Sequence, residues 1–151
     1  MSVKVIATNR KARHEYQFDD SYEAGLVLKG SEIKSIRAGR VSLQQGFVVF
    51  ENGEAWLVDV HIAAYDPASR EGHEPRRRRK LLLHRREIDR LHGQWQQKGY
   101  TVIPTKLYLK DGRAKVEIAL ARGKKMYDKR QTIAERDSKR QMERALKERY
   151  G

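Results

Sequence analysis

FVVFENGEAWLVDVHI (47–62) is the stretch on which the fold turns. Its second half alternates, with Trp56, Val58, Val60 and Ile62 on one side of an extended chain and Leu57, Asp59 and His61 on the other. Successive side chains of an extended chain point to opposite faces, so a period of two marks a half-buried strand. Phe47 to Phe50 forms a second extended run, and Asn52-Gly53 stands between the two. A type I′ turn needs positive φ at both central positions, which Asn and Gly tolerate, so the stretch reads as a β-hairpin.

The same design returns further along. Lys106 to Lys110 and Lys115 to Ala121 flank Asp111-Gly112, with Val116, Ile118 and Leu120 facing inward and Lys106, Lys110 and Lys115 on the outer face. Upstream, His14 to Phe18 and Tyr22 to Leu28 also alternate. At least six short strands with turn signals between them predict a mainly β fold, a closed or nearly closed antiparallel barrel that removes exposed edges. Two helices interrupt the strands. Ser31 is placed to cap one that runs through Arg37, with Ile33 and Ile36 inward and Gly39 closing it. The other covers about 84–98, where Ile88, Leu91 and Trp95 share a face and Gly99 follows at the C′ position.

Residues 1–122 therefore read as one domain and 123–151 as a tail of different character. The last 29 residues hold ten Lys/Arg, five Asp/Glu and very few large apolar groups. They bury too little surface to offset the entropy of ordering. Glu135/Lys139, Lys139/Glu143, Glu143/Lys147 and Arg144/Glu148 are opposite charges four apart. Such pairs contribute about 0.2–0.5 kcal/mol each, so the expectation is a flexible tail, partly helical and completed as a helix on a partner.

Charge points to the partner. The 151 residues carry 33 Lys/Arg against 20 Asp/Glu, a net charge of +13. Neutralising phosphates releases condensed counterions, so this excess favours nucleic acid. There is no cysteine, hence neither a disulfide framework nor a thiolate metal site. No apolar run approaches the ~20 residues of a membrane span, and the opening Met-Ser-Val-Lys lacks a signal-peptide core, so the expected location is the cytoplasm, with no membrane partner.

Catalytic signatures are missing from the pattern. Asp59, His61, Asp66 and His73 are dense enough to raise a metal, but their spacing matches no zinc or two-metal arrangement. Neither a nucleophile elbow nor a phosphate-binding loop is present. The expectation is a protein that is not an enzyme and needs no cofactor. Binding chemistry is better supplied. Arg76, Arg77, Arg78, Arg79 and Lys80 follow one another and are anchored by Leu81 to Leu83. Mutual repulsion makes phosphate contact the economical reading of that run, with a nuclear localisation signal as its competitor. Asn9, Arg10, Lys11, Arg13, His14 and Tyr16 mix cations with an aromatic, as suits backbone contact and base stacking. Gly123, Lys124, Lys125, Asp128, Lys129 and Arg130 open the tail.

Four blocks, NRKARHEY (9–16), EAGLVLKGSEIKSIRAGRVSL (23–43), RRRRKLLLH (76–84) and ALARGKKMYDKR (119–130), together resemble the small protein B family, in order and over nearly the whole chain. The resemblance implies a β-barrel of oligonucleotide-binding type with flanking helices, bound to the tRNA-like domain of transfer-messenger RNA. It implies that the body supports the elbow of that RNA in place of an anticodon arm. With elongation factor Tu on the shared RNA, the complex would enter a stalled ribosome, and the tail would lie as a helix in the empty messenger channel of the small subunit. Asn9, Glu32 and a leucine of the Leu81 to Leu83 run, taken as Leu82, resemble positions tied to RNA binding. Arg10, Lys11, Arg13, Lys34, Arg37 and Arg76 to Lys80 are expected beside them. His14 resembles a residue facing the decoding region, and Gly123, Lys124, Lys125, Asp128, Lys129 and Arg130 resemble a tail signature needed for tagging. A carboxylate among cations is useful to RNA binding only if it accepts from base amino groups or orders a nearby Arg, so Glu32 is expected to supply specificity. The alternatives are a general single-stranded nucleic-acid module on the same barrel and a metal-dependent nuclease built on Asp59, His61 and Asp66.

Overall fold

The computed structural model describes residues 2–64, 73–97 and 99–123. Among them nine strands and three helices follow in the order β1 (Val3–Thr8), α1 (Arg10–Glu15), β2 (Tyr16–Leu26), α2 (Gly30–Arg37), β3 (Val41–Ser42), β4 (Phe47–Glu51), β5 (Glu54–Val58), β6 (His61–Ile62), β7 (Arg79–Leu82), α3 (Arg85–Trp95), β8 (Tyr100–Lys110) and β9 (Arg113–Gly123). The chain is mainly β, one large antiparallel sheet carrying short helices.

Both hairpins form where the turn dipeptides put them. Asn52 and Gly53 take φ of 53° and 74°, and Asp111 and Gly112 take 50° and 80°, the left-handed pair that a type I′ turn requires. β4 pairs with β5 from Phe47–Val58 to Glu51–Glu54, and β8 with β9 from Tyr100–Arg122 to Lys110–Arg113. β9 then pairs with β2, β2 with β7, and β7 with β5. β8 meets β1 along Lys106 to Lys110 and β4 at the single pair Val48–Val102, so the strand pairings return to where they began. β3 and β6 make a separate two-stranded pairing.

The core fills the inside of this arrangement. Val48, Leu57, Leu81, Val102, Leu107, Val116, Ile118 and Leu120 are buried together with Ile36 of α2 and Ile88 and Leu91 of α3. A smaller cluster lies on the opposite face of β8 and β9, where Ile103 and Ala121 pack with Ala12 of α1 under Tyr16, Phe18 and Phe47. Their alternation along β8 and β9 lets one hairpin serve both clusters. Gly39, at φ 76°, closes α2 as its sequence position indicates.

Four local expectations are corrected. In β5 it is Ala55 and Leu57 that face the core while Trp56 and Val58 lie half-exposed, whereas Val60 and Ile62 are again inside. Asp59, at φ 58°, breaks the extended chain between them and shifts the alternation by one residue. His14 belongs to α1, not to a strand, because Asn9 caps a helical turn there. The N-cap of α2 is Lys29 and not Ser31, whose hydroxyl instead lies 2.8 Å from Nδ1 of the buried His73. α3 ends at Trp95, and Gly99 turns the chain into β8 three residues after the cap at Gln96.

Candidate nucleic-acid interface

The cation run 76–80 is not a loop of unpaired charges, as its sequence suggested. Arg79 begins β7, is fully buried, and donates from Nε to Oε2 of Glu32 at 2.6 Å, from Nη1 to the Val60 carbonyl at 2.6 Å and from Nη2 to the Pro75 carbonyl at 3.0 Å. Arg77 pairs with Oε1 of the same carboxylate, which also accepts the Lys29 N–H at 2.8 Å. Arg78 reaches Glu51 at 3.1 Å and lies over the Trp56 ring, Lys80 reaches Glu54 at 3.0 Å, and Arg76 donates to Gln45 at 2.9 Å. Strand alternation sends Arg79 inward, while Arg76 and Arg78 remain exposed.

Glu32 is therefore also inside. It sits at the N3 position of α2, where its carboxylate completes the first helical turn from Lys29 and closes onto two guanidinium groups arriving from 45 and 47 residues away. Burial alone would raise its pKa, but hydrogen bonds from Arg77, the Lys29 N–H and Arg79 outweigh it and hold the carboxyl below its ordinary value. Glu32 and Arg79 are both fully buried; of the two roles open to that carboxylate, ordering arginine is the one its contacts serve. Lys34 and Arg37 lie on the exposed face of α2.

Asn9 is likewise buried and fully engaged. Its Nδ2 donates to the carbonyls of Pro104 (2.9 Å) and Leu43 (3.1 Å), its Oδ1 accepts from the Ala12 N–H, and its own N–H reaches the Thr105 carbonyl at 2.8 Å. The register of β8 shifts between Pro104 and Lys106, and the carbonyls of Pro104 and Thr105 meet Asn9 at that irregularity. Asn9 thus seats α1, which exposes Arg10, Lys11, Arg13 and His14 to solvent. Asn9, Glu32 and Arg79, expected from sequence beside RNA, are all buried and held by contacts within the protein.

Leu82 is different, because more than half of it is exposed although it belongs to a central strand. It lines an open groove of about 800 Å³ with Glu23 and Gly25 of β2 and Lys110, Arg113 and Lys115 of the second hairpin. Gly25 permits the approach: a Cβ there would stand 3.2 Å from Leu82 Cβ. Lys110 lies 3.4 Å from Glu23, and burial beside Glu23 pushes the Tyr108 hydroxyl up to about 12. Glu23 and Arg113 are groove residues that sequence reasoning does not single out, and Lys110 and Lys115 are read there only as the outer face of their hairpin. The lysines on the outer face of the hairpin are the available signal; their meeting with Glu23 and Leu82 depends on which strands pair.

Gly123 ends β9 opposite Tyr16, whereas Lys124, Lys125, Asp128, Lys129 and Arg130 lie outside the described residues, as does Asp66. Asp59 and His61 belong to no grouping of three or more potential metal ligands among the described residues. No described helix is long and apolar enough to cross a membrane.

A strongly basic, mainly β chain with a cation-lined groove and an exposed basic helix has the surface of a nucleic-acid-binding protein. The family model described as SmpB protein matches residues 6–148. SsrA-binding proteins of Roseiflexus castenholzii and Acidothermus cellulolyticus are 62% and 58% identical, over 97% and 95% of this chain and 93% and 90% of theirs. That of Carboxydothermus hydrogenoformans is 54% identical over 97% of this chain and 99% of its own. A solved structure described as “tmRNA-SmpB: a journey to the center of the bacterial ribosome” superposes with a TM-score of 0.69 at 49% identity, covering 80% of this chain and 85% of that one. The chain belongs to the SmpB protein family.

Proposed function

We propose that this protein binds the tRNA-like domain of transfer-messenger RNA and brings it to stalled ribosomes for trans-translation, with the Leu82 groove as part of the RNA-binding surface. The observation that carries the reading is an exposed leucine between Glu23 and the cations Lys110, Arg113 and Lys115, in a chain whose relatives are SsrA-binding proteins. An apolar side chain offers a face to unstacked ribose or base, the cations neutralise phosphate, and a carboxylate favours particular base amino groups. In the same reading the ring of strand pairings is a closed barrel of oligonucleotide-binding type, formed by residues 1–122. Residues 123–151 are the tail that enters the messenger channel of the small subunit as a helix, with Lys124, Lys125, Asp128, Lys129 and Arg130 needed for tagging, and His14 faces the decoding region. Elongation factor Tu joins through the shared RNA. The role is binding in the cytoplasm, without catalysis.

The test is equilibrium binding of the full chain to the tRNA-like domain, bulk tRNA and single-stranded DNA across a salt series. Preference for the tRNA-like domain is expected to persist at physiological salt. Replacing Lys110 and Lys115 by Gln is expected to reduce the slope of log K against log salt by roughly 0.7–0.9 for each phosphate that is no longer neutralised. Equal affinity for all three nucleic acids would assign the groove to a general single-strand binder instead.

A further inference from the structure

Among the described residues, β1 is the outermost strand of the large sheet and is bonded to β8 alone. Its far end is tied down, because Asn9, next to Thr8, holds the Leu43 and Pro104 carbonyls. The near end, Val3 to Val5, precedes the irregularity between Val5 and Ala7. Val3 and Val5 are 53% and 52% exposed, and with Val27 and Leu82 they are the exposed large apolar residues of the described chain. Their backbone is open as well. Opposed residues of an antiparallel pair alternate between exchanging both hydrogen bonds and exchanging none. The Asp111 N–H donates to the Ser2 carbonyl at 2.9 Å, in the same register that sets Val3 against Lys110 and Lys4 against Leu109. The bonded positions are therefore Ser2 and Lys4. Val3 and Val5 oppose Lys110 and Tyr108 without exchanging bonds, so the N–H and C=O of both valines point away from β8.

Unpaired donors and acceptors in a row, with apolar side chains beside them, are a template for one more strand. A chain laid along this edge would exchange hydrogen bonds with Val3 and Val5. The residue opposite Lys4 would then occupy the close, unbonded position, with Cα atoms about 4.5 Å apart. Lys4 decides which chain fits. A second copy of this protein would match Val3 with Val5 but set two Lys4 side chains against each other, in a molecule of net charge +13. An acidic residue at the same place meets Lys4 with opposite charge, and Lys110 and Lys106, across from Val3 and Thr8 on β8, carry the same sign as Lys4.

We propose that the Val3 to Val5 edge of β1 is a docking site for an extended acidic segment of another protein, which joins the sheet as a strand. Apolar residues of that segment lie beside Val3 and Val5, and a carboxylate stands opposite Lys4. The partner is a polypeptide and not an RNA, because the open groups are backbone N–H and C=O in strand spacing.

The probe is the peptide acetyl-Glu-Val-Glu-Val-Glu-amide, added to the isotopically labelled full chain and followed through backbone amide shifts and amide hydrogen exchange. Saturable shifts are expected around β1, with exchange slowed at Val3 and Val5 but not at Lys4, whose N–H already faces β8. The counterpart with lysine in place of glutamate should bind more weakly, and methylating both valine nitrogens of the peptide should abolish binding. Lys4→Glu, at an exposed position, should keep the thermal midpoint, weaken the glutamate peptide about 5-fold and reverse the preference between the two peptides. Equal response to both peptides, binding that survives the methylation, or an unchanged preference in Lys4→Glu would overturn the assignment. So would protection of the Val3 and Val5 amides that grows with protein concentration in the absence of peptide, which would make a second copy the occupant. Displacement of the peptide by the tRNA-like domain would give the edge to RNA and reject the proposal in the same way.

Discussion

At the scale of the residue, Glu32 and Arg79 form a fully buried ion pair whose remaining polar atoms are occupied by Arg77, the Lys29 N–H and two carbonyls. A pair of this kind adds little net stability over an apolar substitute, yet breaking it strands a charge. Glu32→Gln is therefore expected to cost about 3–5 kcal/mol at pH 7, measured by urea unfolding. Because the folded carboxyl is held below its ordinary value of 4.5, its stabilisation is present above that pH and is lost as pH falls through the folded value. The gap between wild type and variant should close on acidification, and a gap independent of pH would show that the carboxylate charge is not what Arg79 requires. Asn9 allows a second residue-scale test. Asn9→Asp replaces the Nδ2 donor by an oxygen facing the Pro104 and Leu43 carbonyls, so it should destabilise more than Asn9→Ala, although aspartate is as good a helix cap as asparagine. Equal destabilisation by the two would reduce Asn9 to a cap.

Among the elements, the strand β5 shows what a local reading can carry. Alternation announced a strand there, and the Asn52-Gly53 turn fixed its partner, both from residues close in sequence. Trp56 and Val58 do not share a face with Val60 and Ile62 because Asp59 adopts a left-handed conformation in mid-run, a choice that alternation cannot register. Asp59→Val is expected to cost about 1–2 kcal/mol, since a β-branched residue is strained at φ 58°, whereas Asp59→Gly should be neutral or stabilising; the two are separable by thermal unfolding. If valine were tolerated, the break in alternation would have another origin. The site followed the same division. The cations of 76–80 were visible as a run, but Glu32, Glu51 and Glu54, which pair with them, come from α2 and the first hairpin. Helix α1 was missed for the same reason, because the carbonyls that fix its cap belong to Leu43 and Pro104. Leu82 was named by resemblance, while Glu23 and Lys110 beside it are neighbours only through the pairings of β2 with β7 and β9 and of β9 with β8.

For the whole molecule the question is how a rigid body and a basic extension divide the work. The Leu82 groove consists of residues up to Lys115, held by the sheet and the two clusters beneath it. Gly123 still pairs with Tyr16, so a cut that spares the body must fall after it and not before. Removal of residues 124–151 takes away ten Lys/Arg and five Asp/Glu, a net change of five positive charges out of thirteen. That change should lower nonspecific affinity and shallow the salt dependence, because fewer counterions are displaced. It should leave affinity for the tRNA-like domain within a few fold, since the groove is intact, while peptide tagging on stalled ribosomes is abolished. Binding assays and a tagging assay on the same truncated protein decide between this division and its alternative. If RNA affinity collapsed with the tail, the extension would be part of the RNA site and the groove around Leu82 would be too weak to hold the RNA alone.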